Sequence, residues 1–313
     1  MNRVDHTFLL SSGIVIVLLL IGPFLPQWLL FLITVSFGKG LVVLGLLLLM
    51  RTGLVSFGQG LYYCLGAYTV GALGMALNLN DAFLTLLLGG LAAALLSFIL
   101  GFLMAGYRGI FFAMLSMAFS MILYGLLVKT ALLGSTDGFN VHVPTFLGMA
   151  VAGSWVRYAV YALACVVALG VALGLNRYTQ TSLGRLSPAI KDNELRVEYM
   201  GASVRRAIHI KYVIAATLAG LGGSLTALTV GHIDPELAYW TTSGEFVFIT
   251  ILGGTGNVLA PFLGALIFES IRSFAYEYSP NTWQMVLGAA LLLVIIFLPS
   301  GLWSVFKTRP KGA

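Results

Sequence analysis

The sequence predicts an all-α polytopic membrane protein with about ten transmembrane helices, and composition, run length and charge placement all point to it. Of 313 residues, 59% are hydrophobic and only 9% are charged, and the mean hydropathy is +0.98. A soluble domain carries roughly 25% charged residues, so a water-soluble fold could not cover this much apolar surface. The bilayer is the expected solvent, and the spans leave no room for a separate soluble catalytic domain. Runs such as FLLSSGIVIVLLLIGPFL and YAVYALACVVALGVAL are unbroken and of helical length, unlike the alternating segments of roughly 10 residues in a membrane β-barrel.

Apolar runs bounded by charge, Pro and Asn place the helices at about 8–25, 28–50, 60–77, 83–106, 110–128, 155–175, 210–231, 242–255, 258–275 and 283–303. The start, MNRVDHTFLL, has the basic and apolar parts of a signal peptide but no small-residue cleavage site, and it is read as the first helix. With the N-terminus cytoplasmic, the inner loops hold Arg3, Arg51, Arg108, seven basic residues from Arg177 to Lys211, and Lys307, Arg309 and Lys311. The outer loops hold Lys129 and Arg157, together with Asp81, Asp137, Asp234, Glu236 and Glu277. The positive-inside rule selects this orientation, with both termini cytoplasmic. Trp28, Trp155, Trp240 and Trp283 fall at outer ends and Trp303 at an inner end, the headgroup level that indole prefers.

Two spans are weak. The second is interrupted by SFGKG, which includes Lys39, and the eighth is short and contains Glu245; either could be re-entrant. Charges inside spans cost about 2.5–3.5 kcal/mol each at a helix centre. Glu269 and Arg272, three apart on one helix, can pair; Lys39 and Glu245 have no partner visible in the sequence. Most of the 37 glycines read as close helix contacts. Cys64 and Cys165 sit in apolar runs as packing residues, and His6, His142, His209 and His232 are scattered without metal-ligand spacing, so no metal site and no catalytic residue are expected. The +6 net charge has no soluble basic face to sit on, which argues against nucleic acid.

One polar island stands out. Asn176 to Lys211 holds ten of the twenty-eight charged residues in thirty-six positions. Pro188 suits a first helical turn, Ser187 can cap it, and a helix from Ala189 through Met200 would end at Gly201. Ile190, Leu195 and Val197 form a partial apolar face suited to docking on a soluble partner; a solvated loop that merely obeys the positive-inside rule is the alternative.

This segment resembles the cytoplasmic loop of the branched-chain amino acid ABC transporter permease family, of the LivM-like membrane-subunit type. The family pattern, approximately G-R-x-x-x-A-I-[KR]-x-N-E-x-R-A-x-x-x-G, stands here as Gly184, Arg185, Ala189, Ile190, Lys191, Asn193, Glu194, Arg196 and Gly201. The blocks RTGLVSFGQGLYYCLGAYTVGAL and ILGGTGNVLAPFLGALIFE are also similar to the family. Val197 and Tyr199 stand where alanine is usual, and Gln59 where histidine is common. The resemblance implies that residues 1–313 are one transmembrane permease domain with a coupling loop at 176–211 gripped by an ATPase. The implied partners are a second homologous permease, two cytoplasmic ABC ATPase subunits and a periplasmic substrate-binding protein, all at the bacterial inner membrane. The chain has no G-x-x-x-x-G-K-[ST] phosphate loop, so ATP and Mg belong to the partner ATPases; it binds no cofactor and is not an enzyme.

Breaks in membrane helices free backbone polar groups that are tolerated where they line a cavity. GLVSFGQG at 53–60 and GGTGN at 253–257 are such breaks, and Ser56, Gln59, Tyr68, Thr255 and Asn257 are the expected substrate-path residues. Ser and Thr bonded to their own helix, or Asn and Gln bridging two helices, are the alternatives. Asp137 to Asn140 form the one notable outer loop, a contact for the binding protein or an ordinary turn. The expected function is import of amino acids, branched-chain ones first; a urea or short-amide importer and an ion-coupled secondary transporter are its rivals.

Overall fold

A computed structural model describes residues 13–15, 17–149, 151, 153, 155–278, 280, 282–298 and 301–306. Both chain ends, and with them the first residues of the 8–25 helix and the expected cytoplasmic termini, lie outside the described residues.

An apolar helix α1 (Gly13–Phe24) leads through Pro26 into α2 (Gln27–Met50), followed by α3 (Gln59–Leu77), α4 (Ala82–Met104), α5 (Gly109–Lys129) and α6 (Trp155–Gln180). Two short helices, α7 (Ser182–Asp192) and α8 (Glu194–Tyr199), precede α9 (Val204–Val230), α10 (Trp240–Gly253), α11 (Ala260–Tyr278) and α12 (Trp283–Phe297). Among the described residues six helices, α2 to α6 and α9, are long and apolar enough to cross a membrane. The other expected spans are α1, α10, α11 and α12, which are shorter or carry more charge. At 14 residues α10 reaches only about 21 Å, short of a hydrocarbon core of about 30 Å. The chain is an all-α polytopic membrane protein.

The centre is α2 against α9. From Gly38 to Leu49 every residue of α2 is buried, as expected of a helix that is apolar on all sides. Its SFGKG stretch does not interrupt it. Gly38 and Gly40 admit Thr226 and Phe262, whose atoms would meet a Cβ at either position, and Lys39 finds partners on other helices. The second expected span is therefore one continuous helix. Along α9, the run Gly220, Gly222 and Gly223 brings Ala93, the Gly38 carbonyl and the Tyr63 carbonyl to where side chains would stand. Three neighbouring helices thus approach α9 at backbone distance, the packing that small residues permit where no hydrophobic effect drives association. The outer faces of α4 and α5 remain exposed and apolar, with Leu87, Leu95, Ile110, Phe111 and Leu126 among them.

One end of the bundle is covered by a two-residue strand pair, Phe139–Asn140 (β1) against His232–Ile233 (β2), antiparallel with Phe139 opposite Ile233. The Asp137 to Asn140 loop is tied down here: Phe139 stands edge-on to Tyr68 at 5.5 Å, and Asn140 Oδ1 meets His232 Nδ1 at 2.9 Å. The other end carries α7, α8 and the chain between α2 and α3.

Candidate functional site

The polar segment 176–211 folds differently from the expected single helix. Thr181, not Ser187, caps α7 by accepting from the Gly184 amide at 3.3 Å, and Pro188 lies inside that helix rather than in its first turn. Asn193 then breaks the chain and caps α8 through the Arg196 amide at 3.0 Å, and Gly201 closes the segment at φ +84°. Ile190 and Val197 point into the protein's own core, so the expected apolar docking face is not theirs. The segment exposes a surface of mixed charge that includes Arg185, Ala189, Lys191, Asp192, Arg196 and Glu198, and an apolar edge of Leu195, Tyr199 and Met200. Gly184 is buried at the α6–α7 corner, where the Tyr178 and Thr179 backbone occupies the space of a side chain. Glu194 anchors the segment to the α4–α5 corner through Arg108 Nε at 2.7 Å.

Both expected helix breaks are present. Between α2 and α3 residues 51–58 leave the helix, two positions earlier than expected, so that Gln59 and Gly60 belong to α3, with Gly53 at φ +79° directly beneath the Lys191 side chain. Between α10 and α11 the chain turns at Gly254, φ +86°. The breaks touch: the Arg51 guanidinium donates to the Thr255 carbonyl through Nε at 3.2 Å and Nη2 at 2.9 Å. A continuous set of contacts therefore runs from α7 to the 51–58 break and on to the end of α10.

The five expected path residues do not form one cluster. Ser56 is buried, and its Oγ accepts from the Gly58 amide at 3.3 Å. Gln59 opens α3, fully buried, and neither its Oε1 nor its Nε2 has a hydrogen-bond partner among the described residues. The neighbouring Phe57 and Gly60 amides donate to Ser116 and Ser243 at 3.0 and 2.9 Å, so serines of α5 and α10 hold this corner. Tyr68 is farther along α3 beneath the strand pair, its hydroxyl likewise without a partner among the described residues. Thr255 is exposed and contributes its carbonyl, and Asn257 caps the start of α11 by accepting from the Leu259 amide at 3.1 Å.

The most polar interior site is one that the sequence shows only as scattered charges. Lys39 of α2 reaches Glu269 of α11 at 2.5 Å and Glu245 of α10 at 3.1 Å. Arg272 of α11 approaches Glu245 at 3.3 Å and Glu269 at 3.8 Å. The four form a closed ring of alternating sign with no net charge. The expected Glu269–Arg272 pair exists, but it is the longest side of the ring, and Lys39 and Glu245 are partners across 206 positions of sequence. The ring lines a cavity of about 500 Å³ together with Tyr63, Thr226 and, toward the strand-pair end, Asp234 and Thr242. Arg272 also lies 5.4 Å from the Trp283 ring. Pairing offsets the desolvation of each charge, while the remaining polar atoms face a space large enough for water or a small polar solute. Among the described residues no group of three His, Cys, Asp or Glu side chains is placed to hold a metal ion.

Comparison with known proteins agrees with this architecture. The high-affinity branched-chain amino acid transport system permease protein LivM of Escherichia coli (strain K12) is 31% identical over 303 residues, covering 89% of this chain and 69% of the relative. The high-affinity branched-chain amino acid transport system permease protein BraD of Pseudomonas aeruginosa is 25% identical, covering 56% of this chain and 59% of the relative. LivH of Salmonella typhimurium is 24% identical, covering 55% and 51%. No solved structure matches. Residues 28–296 match the family described as branched-chain amino acid transport system / permease component, and the chain belongs to that family.

Proposed function

We propose that this chain is the membrane subunit of an ABC importer that carries amino acids, branched-chain ones first, inward across the bacterial inner membrane by alternating access. It pairs with a second, similar permease, receives substrate from a periplasmic binding protein and is driven by two ATPase subunits, which use ATP and Mg. Both termini face the cytoplasm, and α7 and α8 lie on that side. Membership of the family and the names of relatives on two different permeases of such systems support this reading.

The observation that carries the mechanism is the contact chain from α7 to the charge ring. Movement of α7 presses through Lys191 on Gly53; Arg51 passes it to Thr255 at the end of α10; and α10 carries Glu245, one side of the ring. A motor that tugs on the exposed Arg185, Ala189, Lys191, Arg196 and Leu195–Met200 surface can thus tilt α10 against α2. The ring would open and close the cavity as its pairs lengthen and shorten. Ser56 and Gln59 lie at the start of α3, where the two unpartnered Gln59 amide atoms offer a polar contact to a passing solute; Tyr68, Thr255 and Asn257 flank the same route.

The test is uptake of labelled leucine into proteoliposomes holding the whole complex with ATP. Arg108→Glu should lower ATP-driven uptake roughly tenfold, and adding Glu194→Arg should restore it, because the corner that α8 leans on is re-formed with reversed sign. Flux through this chain alone under an ion gradient would contradict the reading in favour of secondary transport.

A further inference from the structure

A second site lies away from the cavity, between the last two turns of α4 and the first two of α9. Phe98 and Phe102 of α4 and Ser203, Arg205, Arg206 and His209 bound a groove of about 480 Å³. His209 packs against both rings, edge-on to Phe98 at 5.3 Å and tilted against Phe102 at 4.5 Å, over Gly101, where a Cβ would press on its Nδ1. Neither imidazole nitrogen has a hydrogen-bond partner among the described residues. Arg205 spends one donor on the Phe102 carbonyl at 3.1 Å, which fixes its guanidinium at the groove mouth, and Arg206 is exposed beside it. Among the described residues no acidic side chain lines the groove.

The surroundings identify the occupant. One turn and more into the membrane from these arginines, Leu95, Phe98, Ile99 and Phe102 are all at least half exposed, forming an apolar track along α4 that leads into the groove. A ligand that fits has an anionic head beside the two guanidinium groups and a hydrocarbon tail along that track. The absence of a lining carboxylate leaves nothing to pair the cationic amine of a zwitterionic head. We infer that the α4–α9 groove is a binding site for the phosphate head of an anionic phospholipid of the cytoplasmic leaflet, such as phosphatidylglycerol. Basic pockets between helices on that side bind such heads, and each arginine near an anionic surface adds about the same increment. The inference rests on the orientation proposed above but on neither the substrate nor the charge ring.

Native mass spectrometry of the purified complex tests it, titrated with phosphatidylglycerol, with phosphatidylcholine of the same chains, or with inorganic phosphate. Wild-type complex should retain phosphatidylglycerol preferentially, and Arg205→Gln with Arg206→Gln should weaken retention about thirtyfold. Arg177→Gln, a basic position outside the groove, should leave it unchanged. Equal retention of the two lipids, or undiminished retention in the double variant, would overturn the inference. Displacement of the lipid by millimolar inorganic phosphate would also overturn it, since the site would then take a free anion. If the double variant does not assemble, Phe102→Trp decides: its fluorescence should be quenched by brominated phosphatidylglycerol and not by brominated phosphatidylcholine, and equal quenching would contradict the proposal.

Discussion

The two flanks of α9 and α2 are built by opposite means. On one flank α3 and α4 meet the middle of α9 through glycines at backbone distance, with no ion pair in the contact; on the other, α10 and α11 meet α2 through four ionised side chains around a solute-sized space. Glycine contacts have one geometry, because a displacement of even a methyl width produces overlap. Ion pairs among long side chains tolerate an ångström of change and can exchange partners. The first flank is therefore suited to act as a frame, on which α8 leans through Glu194 and Arg108, and the second as the moving part, which α7 reaches through Gly53, Arg51 and Thr255.

The comparison yields graded tests. The largest effect is expected at Lys39. Lys39→Met leaves Glu245 and Glu269 facing each other with Arg272 as their sole cationic partner in the ring. Breaking a buried pair in this way costs about 3–5 kcal/mol, read as a fall in unfolding temperature of the solubilised complex. Full retention of stability and uptake would show that the ring is dispensable. Next is the frame: Gly223→Val should destabilise by about 1–3 kcal/mol through overlap with the Tyr63 backbone, and no single charge change should rescue it. Asn257→Ala should cost about 1 kcal/mol as the loss of a helix cap. The smallest change in stability is expected for Gln59→Leu, which replaces two unpartnered polar atoms and should be neutral or slightly stabilising while lowering leucine uptake. Wild-type uptake in that variant would remove Gln59 from the path.

How much of this was legible in the sequence follows from the range of each interaction. Apolar runs, the two glycine-rich breaks and the shortness of α10 are local properties, and each appears in the structure close to its expected place. SFGKG misleads because hydropathy counts Gly and Lys as interruptions, whereas Gly38 and Gly40 serve packing and Lys39 is paired. Ile190 and Val197 mislead for a related reason: an apolar stripe on a short helix does not say whether its partner is another protein or the chain's own core. The charge ring was out of reach, since it joins helices more than 200 positions apart and only one of its sides, Glu269 to Arg272, is local. The cap at Asn193 was legible in principle, as Asn followed by Glu at a helix start, but was overshadowed by Pro188.

The claim that one flank moves while the other holds is tested most directly by spin-label distances in the assembled complex, with and without ATP trapped in its ATPase subunits. One pair joins α2 to α10 and the other joins α4 to α9, at exposed positions such as Phe31 with Phe248 and Leu91 with Val230. The α2–α10 distance should shift between the two states by several ångströms while the α4–α9 distance stays constant. An unchanged α2–α10 distance in a complex that still pumps, or equal shifts at both pairs, would contradict the account.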